Sequence, residues 1–257
     1  MGKAKGIVLR PISQADAARV IIGNHYSGRI VQNSTLHIGV FQAGRLEGAM
    51  QFGSPLDRRK MLPLVRGTGW NEMLELNRMA FSDRLPRNAE SRAMSIAFRM
   101  IKKHRPDIRW ILSFSDATQC GDGAIYRAAG FLLTAIKKNK DLLRFPSGRV
   151  VHSMTIKSSP RAIIPEAGRS FHQLTGGGSS MRALCEATGA KPLDGYQLRY
   201  IKFLDPAWAD RLTVPVIPFD EIPAEARMYR GIRRQPVEGV SDQDTAGGAD
   251  PTLALHL

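Results

Sequence analysis

Residues 88–136 leave this chain few folds to adopt. Between Asn88 and His104, Ala93, Met94, Ile96, Ala97, Met100 and Ile101 form one apolar stripe, while Arg92, Arg99 and Lys103 share another face. That is the 3.6-residue period of an amphipathic helix. Asn88 stands where a cap belongs, and Pro106 lies just beyond the end. Residues 108–114 are an apolar run of buried-strand length; 115–123 read as a polar, glycine-bearing loop. Residues 124–129 read as a short helix stopped by Gly130, and 131–136 as another strand. Upstream, 71–81 alternate Met73, Leu74, Leu76 and Met79 with Glu75, Asn77 and Arg78, as in a strand whose polar residues face a cleft. The order strand, helix, strand, helix, strand predicts an α/β fold. At least one strand pair is parallel, and the ligand cleft lies at the carboxyl ends of the strands.

The flanking regions extend this pattern. Residues 13–23 read as a helix capped by Ser13 and ended by Gly23, and 36–42 with 46–52 as a hairpin around Ala43-Gly44-Arg45. Further strands are expected at 150–156 and 197–204, and a mobile loop at 176–180. Prolines recur after Asp205, and 239–250 are rich in Gly, Asp, Ala and Thr without periodicity. We therefore expect a catalytic domain over 1–204 and a Pro/Gly/Asp-rich extension over 205–257, partly disordered.

Charge narrows the partner. The 257 residues carry 37 Lys and Arg against 23 Asp and Glu, a net of +14. From residue 205 onward five Arg meet nine acids, so residues 1–204 hold +18. An excess of this size favours a polyanionic partner, nucleic acid first. Arg92, Arg99, Lys103, Lys137, Lys138 and Lys140 are the candidate phosphate contacts. Cys120 and Cys185 form no framework, and neither a signal-like run nor a membrane-length apolar stretch occurs, so a cytoplasmic protein is expected.

Several groups can carry chemistry. A buried run ends in Ser115 and Asp116, and the short helix brings Tyr126 back toward them. A carboxylate there either accepts a proton from a ligand or merely caps a turn. The start of the 88–104 helix offers free backbone amides, with Asn88 and Ser91 adding side-chain donors for an anionic group. Arg78 beside Glu75 and Asn77 is either a structural ion pair or a clamp that orients an acid or phosphate. His25, next to Tyr26 in an early loop, can exchange protons near neutral pH. Gly121-x-Gly123 is too short for a nucleotide motif, and the six histidines and two cysteines show no metal-ligand spacing.

Taken together, Asn24-His25-Tyr26-Ser27, Glu75-Leu76-Asn77-Arg78, Asn88-x-x-Ser91, Ser115-Asp116 and Gly123-x-Ile125-Tyr126-x-Ala128-x-Gly130-Phe131 resemble the Mom family of phage DNA modification proteins. The resemblance covers residues 20–157, with a weaker echo at 196–205. It implies an N-acetyltransferase-like mixed twisted sheet flanked by helices. The implied reaction converts adenine in duplex DNA to its N6-carbamoylmethyl derivative and hides sites from restriction enzymes. It places functional positions on His25, Arg78, Ser91, Asp116 and Tyr126, with an acyl donor such as acetyl-CoA or another glycyl- or acetyl-type group. One departure stands out: acetyltransferases of this kind carry a Gln/Arg-x-x-Gly-x-Gly/Ala loop before the long helix, and here the stretch is Arg87-Asn88-Ala89-Glu90-Ser91-Arg92.

Adenine's exocyclic amine is a poor nucleophile and is paired inside a duplex, so the base must be extruded and its amine oriented. On that reading Asp116 accepts from the amine and Tyr126 stacks on the base or acts as an acid. His25 shuttles protons, and Arg78 with Ser91, Asn88 and Ser115 holds the donor. The rival readings are an acyltransferase for a small amine or protein and a non-catalytic DNA-binding protein.

Overall fold

The computed structural model describes residues 6–25, 27–117 and 121–224. Tyr26, Cys120 and the expected disorder at 239–250 lie outside the described residues. Along the chain come β1 (Ile7–Pro11), α1 (Gln14–Asn24), β2 (Ser34–Gln42), β3 (Arg45–Gly53), the single turn α2 (Arg58–Met61), β4 (Met73–Phe81) and α3 (Ala89–His104). They are followed by β5 (Trp110–Asp116), α4 (Ala124–Ala128) and β6 (Leu132–Asn139). Short pieces come next: β7 (Leu142–Arg144), β8 (Val150–His152), α5 (Ser153–Lys157), β9 (Ile163–Ile164), β10 (Arg169–Ser170), α6 (Phe171–Thr175), α7 (Met181–Thr188) and β11 (Lys191–Pro192). Finally β12 (Gly195–Phe203) returns to the main sheet.

That sheet has seven strands in the order β1-β2-β3-β4-β5-β12-β6. Its neighbours are antiparallel except β4 and β5, the expected parallel pair. Local chemistry explains the boundaries. Ser13 caps α1 by accepting from the Asp16 N–H at 3.0 Å. The β2–β3 turn holds Ala43 and Gly44 both at positive φ, 47° and 79°, the twist a two-residue hairpin needs.

Two opposite faces cover the sheet. Ala93, Met94, Ala97 and Ile101 of α3 pack on Met50, Phe52, Leu74, Leu76 and Ile111. Their strand neighbours point the other way: Ala49 and Ala80 meet Ala17 and Ile21 of α1. Met73, Trp110, Leu112 and Ile201 meet Leu64, Val65 and Trp208 on that same second face. No helix among the described residues is long and apolar enough to cross a membrane.

Several expectations change. The strand expected at 150–156 ends at His152, where the imidazole Nδ1 accepts from the Met154 N–H and starts α5 instead. Asn88 precedes α3 but lies in the left-handed region at φ 66° and makes no side-chain cap. Ser115 and Asp116, expected in a loop, continue β5, and the strand from Phe131 runs on to Asn139. Residues 140–194 carry their own three-stranded sheet, β11-β7-β8, and a separate core of Leu143, Phe145, Ile156, Phe171 and Leu184. Within 205–224, Trp208 and Ile222 are buried against the main sheet.

Candidate active site

The parallel pair makes the cleft. β4 and β5 bond for three rungs, Met73 with Trp110, Leu74 with Ile111 and Glu75 with Leu112. Both strands then run on unpaired with each other, linked just past the last rung by the Ser113 hydroxyl donating to Leu76 O at 3.3 Å. Into this splay opens a cavity of 350 Å3 walled by Leu76 to Phe81 of β4 and by Phe114 and Ser115 of β5. Asn24 and His25 close one side; Glu90 and residues 122–126 close the other. Because α1 and α3–α4 lie on opposite faces, the cavity is lined from both faces of the sheet, with an α1-side and an α3-side end.

A β-bulge arms the α1-side end. Gln51 faces Arg78 while Phe52 faces Leu76, so Asn77 is the extra residue. Ordinary alternation would put Glu75 and Arg78 on opposite faces; the bulge brings both to the α1 face. Side chains then clip the loop after α1 onto the sheet. Arg78 Nε donates to Arg29 O at 3.4 Å, the Val31 N–H donates to Gln51 Oε1 at 3.3 Å, and the Ser34 hydroxyl donates to Asn77 Oδ1 at 3.0 Å.

Electrostatics there are set by burial. His25 is held down at about 3, first by desolvation and then by the Arg78 charge. Its Nδ1 accepts from the Ser27 N–H at 3.1 Å, which assigns the proton of the neutral ring to Nε2. A ring this hard to protonate is a poor carrier of protons at neutral pH, so the expected proton exchange at His25 meets a physical obstacle. Glu75 moves the other way: desolvation pushes its carboxyl up to about 7, against the smaller pull of Asn77 and Arg78.

The α3-side end is built around Tyr126. Its hydroxyl donates to Phe114 O at 3.5 Å, its ring stacks on Tyr200 at 4.9 Å, and Phe131 meets it edge-on at 5.3 Å. Tyr200 therefore occupies one face of the ring on which a base was expected to stack. The Tyr200 hydroxyl in turn donates to Asp122 O at 2.7 Å. Gly123 sits at φ 67° where a Cβ would lie 2.6 Å from the Tyr200 oxygen, so this approach excludes any side chain.

The expected residues divide. His25, Arg78, Ser115 and Tyr126 all line the cavity. Ser115 donates to Gly121 O at 3.3 Å. Asp116 is half-buried and not in the lining. Unbroken pairing of β5 with β12 puts it on the face of Leu112 and Phe114, the α1 side. Asn88 and Ser91 flank Glu90 at the start of α3, and the Ser91 hydroxyl turns back to Asn88 O at 3.4 Å. Arg92, Arg99 and Lys103 are exposed on α3, opposite the α1 face. Lys137 and Lys138 are exposed on the edge strand β6, two strands from the splay, and Lys140 pairs with Asp194 at 3.4 Å. Sequence reasoning passed over Phe114, Glu90 and Asp122, which also line the cavity, since no local pattern marks where two strands part. Among the described residues no group of His, Cys, Asp and Glu is placed to hold a metal ion.

The chain is similar to known proteins in sequence and, distantly, in fold. The methylcarbamoylase Mom of Escherichia phage Mu is 32% identical over 221 residues, 86% of this chain and 85% of that one. Among solved structures, the ribosomal-protein-S18-alanine N-acetyltransferase of Escherichia coli aligns with a TM-score of 0.42 and 10% identity, over 77% of this chain and 94% of its own. The spermidine/spermine N-acetyltransferase of Vibrio cholerae aligns at 0.43 and 9%, over 79% and 95%. The model of the Mom protein family matches residues 6–221, from β1 to the last turn packed on the sheet. The chain belongs to the Mom protein family.

Proposed function

We propose that this protein is a transferase that modifies the exocyclic amine of adenine in DNA, giving the N6-carbamoylmethyl base and shielding phage DNA from restriction in the host cytoplasm. The observation that carries the reading is a cavity lined from both faces of the sheet. A reaction that joins a large polyanion to a small donated group needs the two to meet from opposite sides, and the β4–β5 splay provides that arrangement. The methylcarbamoylase named for phage Mu supports the choice of product.

On the α1 side, adenine leaves the stack and lies against Phe114, the half-buried aromatic ring of that end. His25, neutral, donates from Nε2 to a ring nitrogen, while Arg78 fixes the loop that carries it. Asp116, outside the cavity lining but two residues on from Phe114 on the same face of β5, accepts the amine proton as the new bond forms once the amine reaches past Phe114, and Glu75, titrating near neutrality on the same face as Arg78, stores it. On the α3 side the first-turn amides of α3 lack a side-chain cap, and left-handed Asn88 turns the backbone into them. That donor set fits an anionic handle, such as the phosphates of an acyl-CoA-type donor, although Glu90 in the lining keeps added negative charge from going deeper. Because the carbamoylmethyl group is bonded to N6 through its methylene carbon, the donor would have to present that carbon to the amine and depart with the electrons of the bond that breaks; attack on an activated carbonyl alone would give the N6-acyl base. Ser115 and the Tyr126 hydroxyl orient the transferred group where the strands part.

Mass spectrometry of nucleosides from DNA of expressing cells tests this. The wild type should yield carbamoylmethyladenine, and Asp116→Asn should lower it on the order of 100-fold. Undiminished product in Asp116→Asn removes that carboxylate from the mechanism; DNA without any modified adenine in the wild type removes the function.

A further inference from the structure

We infer that the segment between β3 and β4 is the part of the protein that enters duplex DNA, with Leu56 as the wedge that fills the stack when adenine leaves it; this rests on the reading that adenine in DNA is the substrate. The segment lies on the correct face. Leu64 and Val65 anchor it on Met73, Trp110 and Leu112, the face on which His25 and Arg78 open. It also touches the cleft wall: Ser54 O accepts from Asn33 Nδ2 at 2.7 Å and from Asn77 Nδ2 at 3.4 Å. Leu56 stands two residues beyond that junction.

Leu56 is 87% exposed, the most exposed of the large apolar side chains described. Its chain neighbours are anchored. Pro55 before it is buried, and Asp57 after it caps α2 by accepting from the Lys60 N–H at 3.2 Å. Trp70, 55% exposed, lies under the guanidinium of Arg58, two residues on from Leu56; that guanidinium is 5.1 Å from the ring and donates to Trp70 O at 2.9 Å. Arg59, three residues on from Leu56, and Arg66, later in the same segment, are exposed. Exposed apolar side chains on a segment that also exposes arginines suit a kinked duplex: an apolar group replaces the lost stacking and the cations hold phosphates nearby. The arginines of α3 lie on the other face, away from His25.

The test compares adenine modification in cells expressing the full chain at matched low levels. Leu56→Ala and Leu56→Ser should lower modified adenine about tenfold, Leu56→Met should retain it, and all three should melt with the wild type, since an exposed side chain adds little to stability. Wild-type modification by Leu56→Ser overturns the proposal, and so does an equal loss in Leu56→Met. A second arm measures binding to mixed-sequence duplex DNA against salt. Arg59→Glu with Arg66→Glu should flatten the log-log slope by about 0.9 for each phosphate no longer neutralised, and Arg92→Glu with Arg99→Glu should not. The reverse result moves the DNA to the α3 face and also overturns the proposal. If wild-type cells contain no modified adenine, the substrate reading fails, and the binding arm alone decides the docking face.

Discussion

Burial gives Glu75 and His25 opposite problems. Glu75 binds its proton more tightly folded than unfolded, because desolvation raises its carboxyl from 4.5 to about 7. Its contribution to stability is therefore complete below about pH 4.5 and is lost as pH rises through about 7. Glu75→Gln removes the titration and should be the more stable protein at pH 8, by on the order of 3 kcal/mol, since a raised carboxyl costs ~1.4 kcal/mol for each pH step between its unfolded and folded values. At pH 4 the two proteins should melt together; a difference that ignores pH would show that Glu75 is not a buried acid. His25 works the other way: its folded value lies below 6.5, so the stability it contributes is present above that pH and is lost on acidification toward about 3. Arg78 lends its charge to both and was readable as either an ion-pair partner of Glu75 or a clamp, but its placement was not. Sequence alternation assigns Glu75 and Arg78 to opposite faces, and the bulge at Asn77 reverses that.

Elements with a strong local signal were legible in outline. The stripe of Ala93, Met94, Ala97 and Ile101 does bury against the sheet, and the turn at Ala43-Gly44 does join β2 to β3. The turn also shows where local chemistry is imperfect: Ala43 at φ 47° bears the steric strain of a Cβ in the left-handed region. Ala43→Gly should raise stability by about 0.5–1 kcal/mol in thermal melts without changing adenine modification. A lower melting point would mean that the turn is not strained. Short elements were less legible. Residues 150–156 have the apolar, β-branched look of a strand, yet a cap formed by His152 bends them into α5 after three residues. Asn88 fits the profile of a cap by residue type, but a positive φ turns its side chain to no such use.

At the scale of the whole molecule, the region between β6 and β12 behaves as a second body. Its core of Leu143, Phe145, Ile156, Phe171 and Leu184 is separate from the cores under the main sheet. Leu184→Ala, at a fully buried position, should cost about 2–5 kcal/mol. Hydrogen exchange should place the loss of protection within residues 142–192 and leave β3, β4 and β5 protected. Loss of protection across the central sheet as well would show one cooperative unit. The excess of positive charge, the α/β order, the long amphipathic helix and the residue types of the site were determined by the sequence alone, because charge, periodicity and caps act over a few neighbouring residues. Which residues share the cleft was decided by tertiary structure. Where β4 and β5 part, which face Asp116 and Arg78 take, and how far His25 is desolvated all depend on strand register and on helices packed from distant parts of the chain, and no local pattern encodes them.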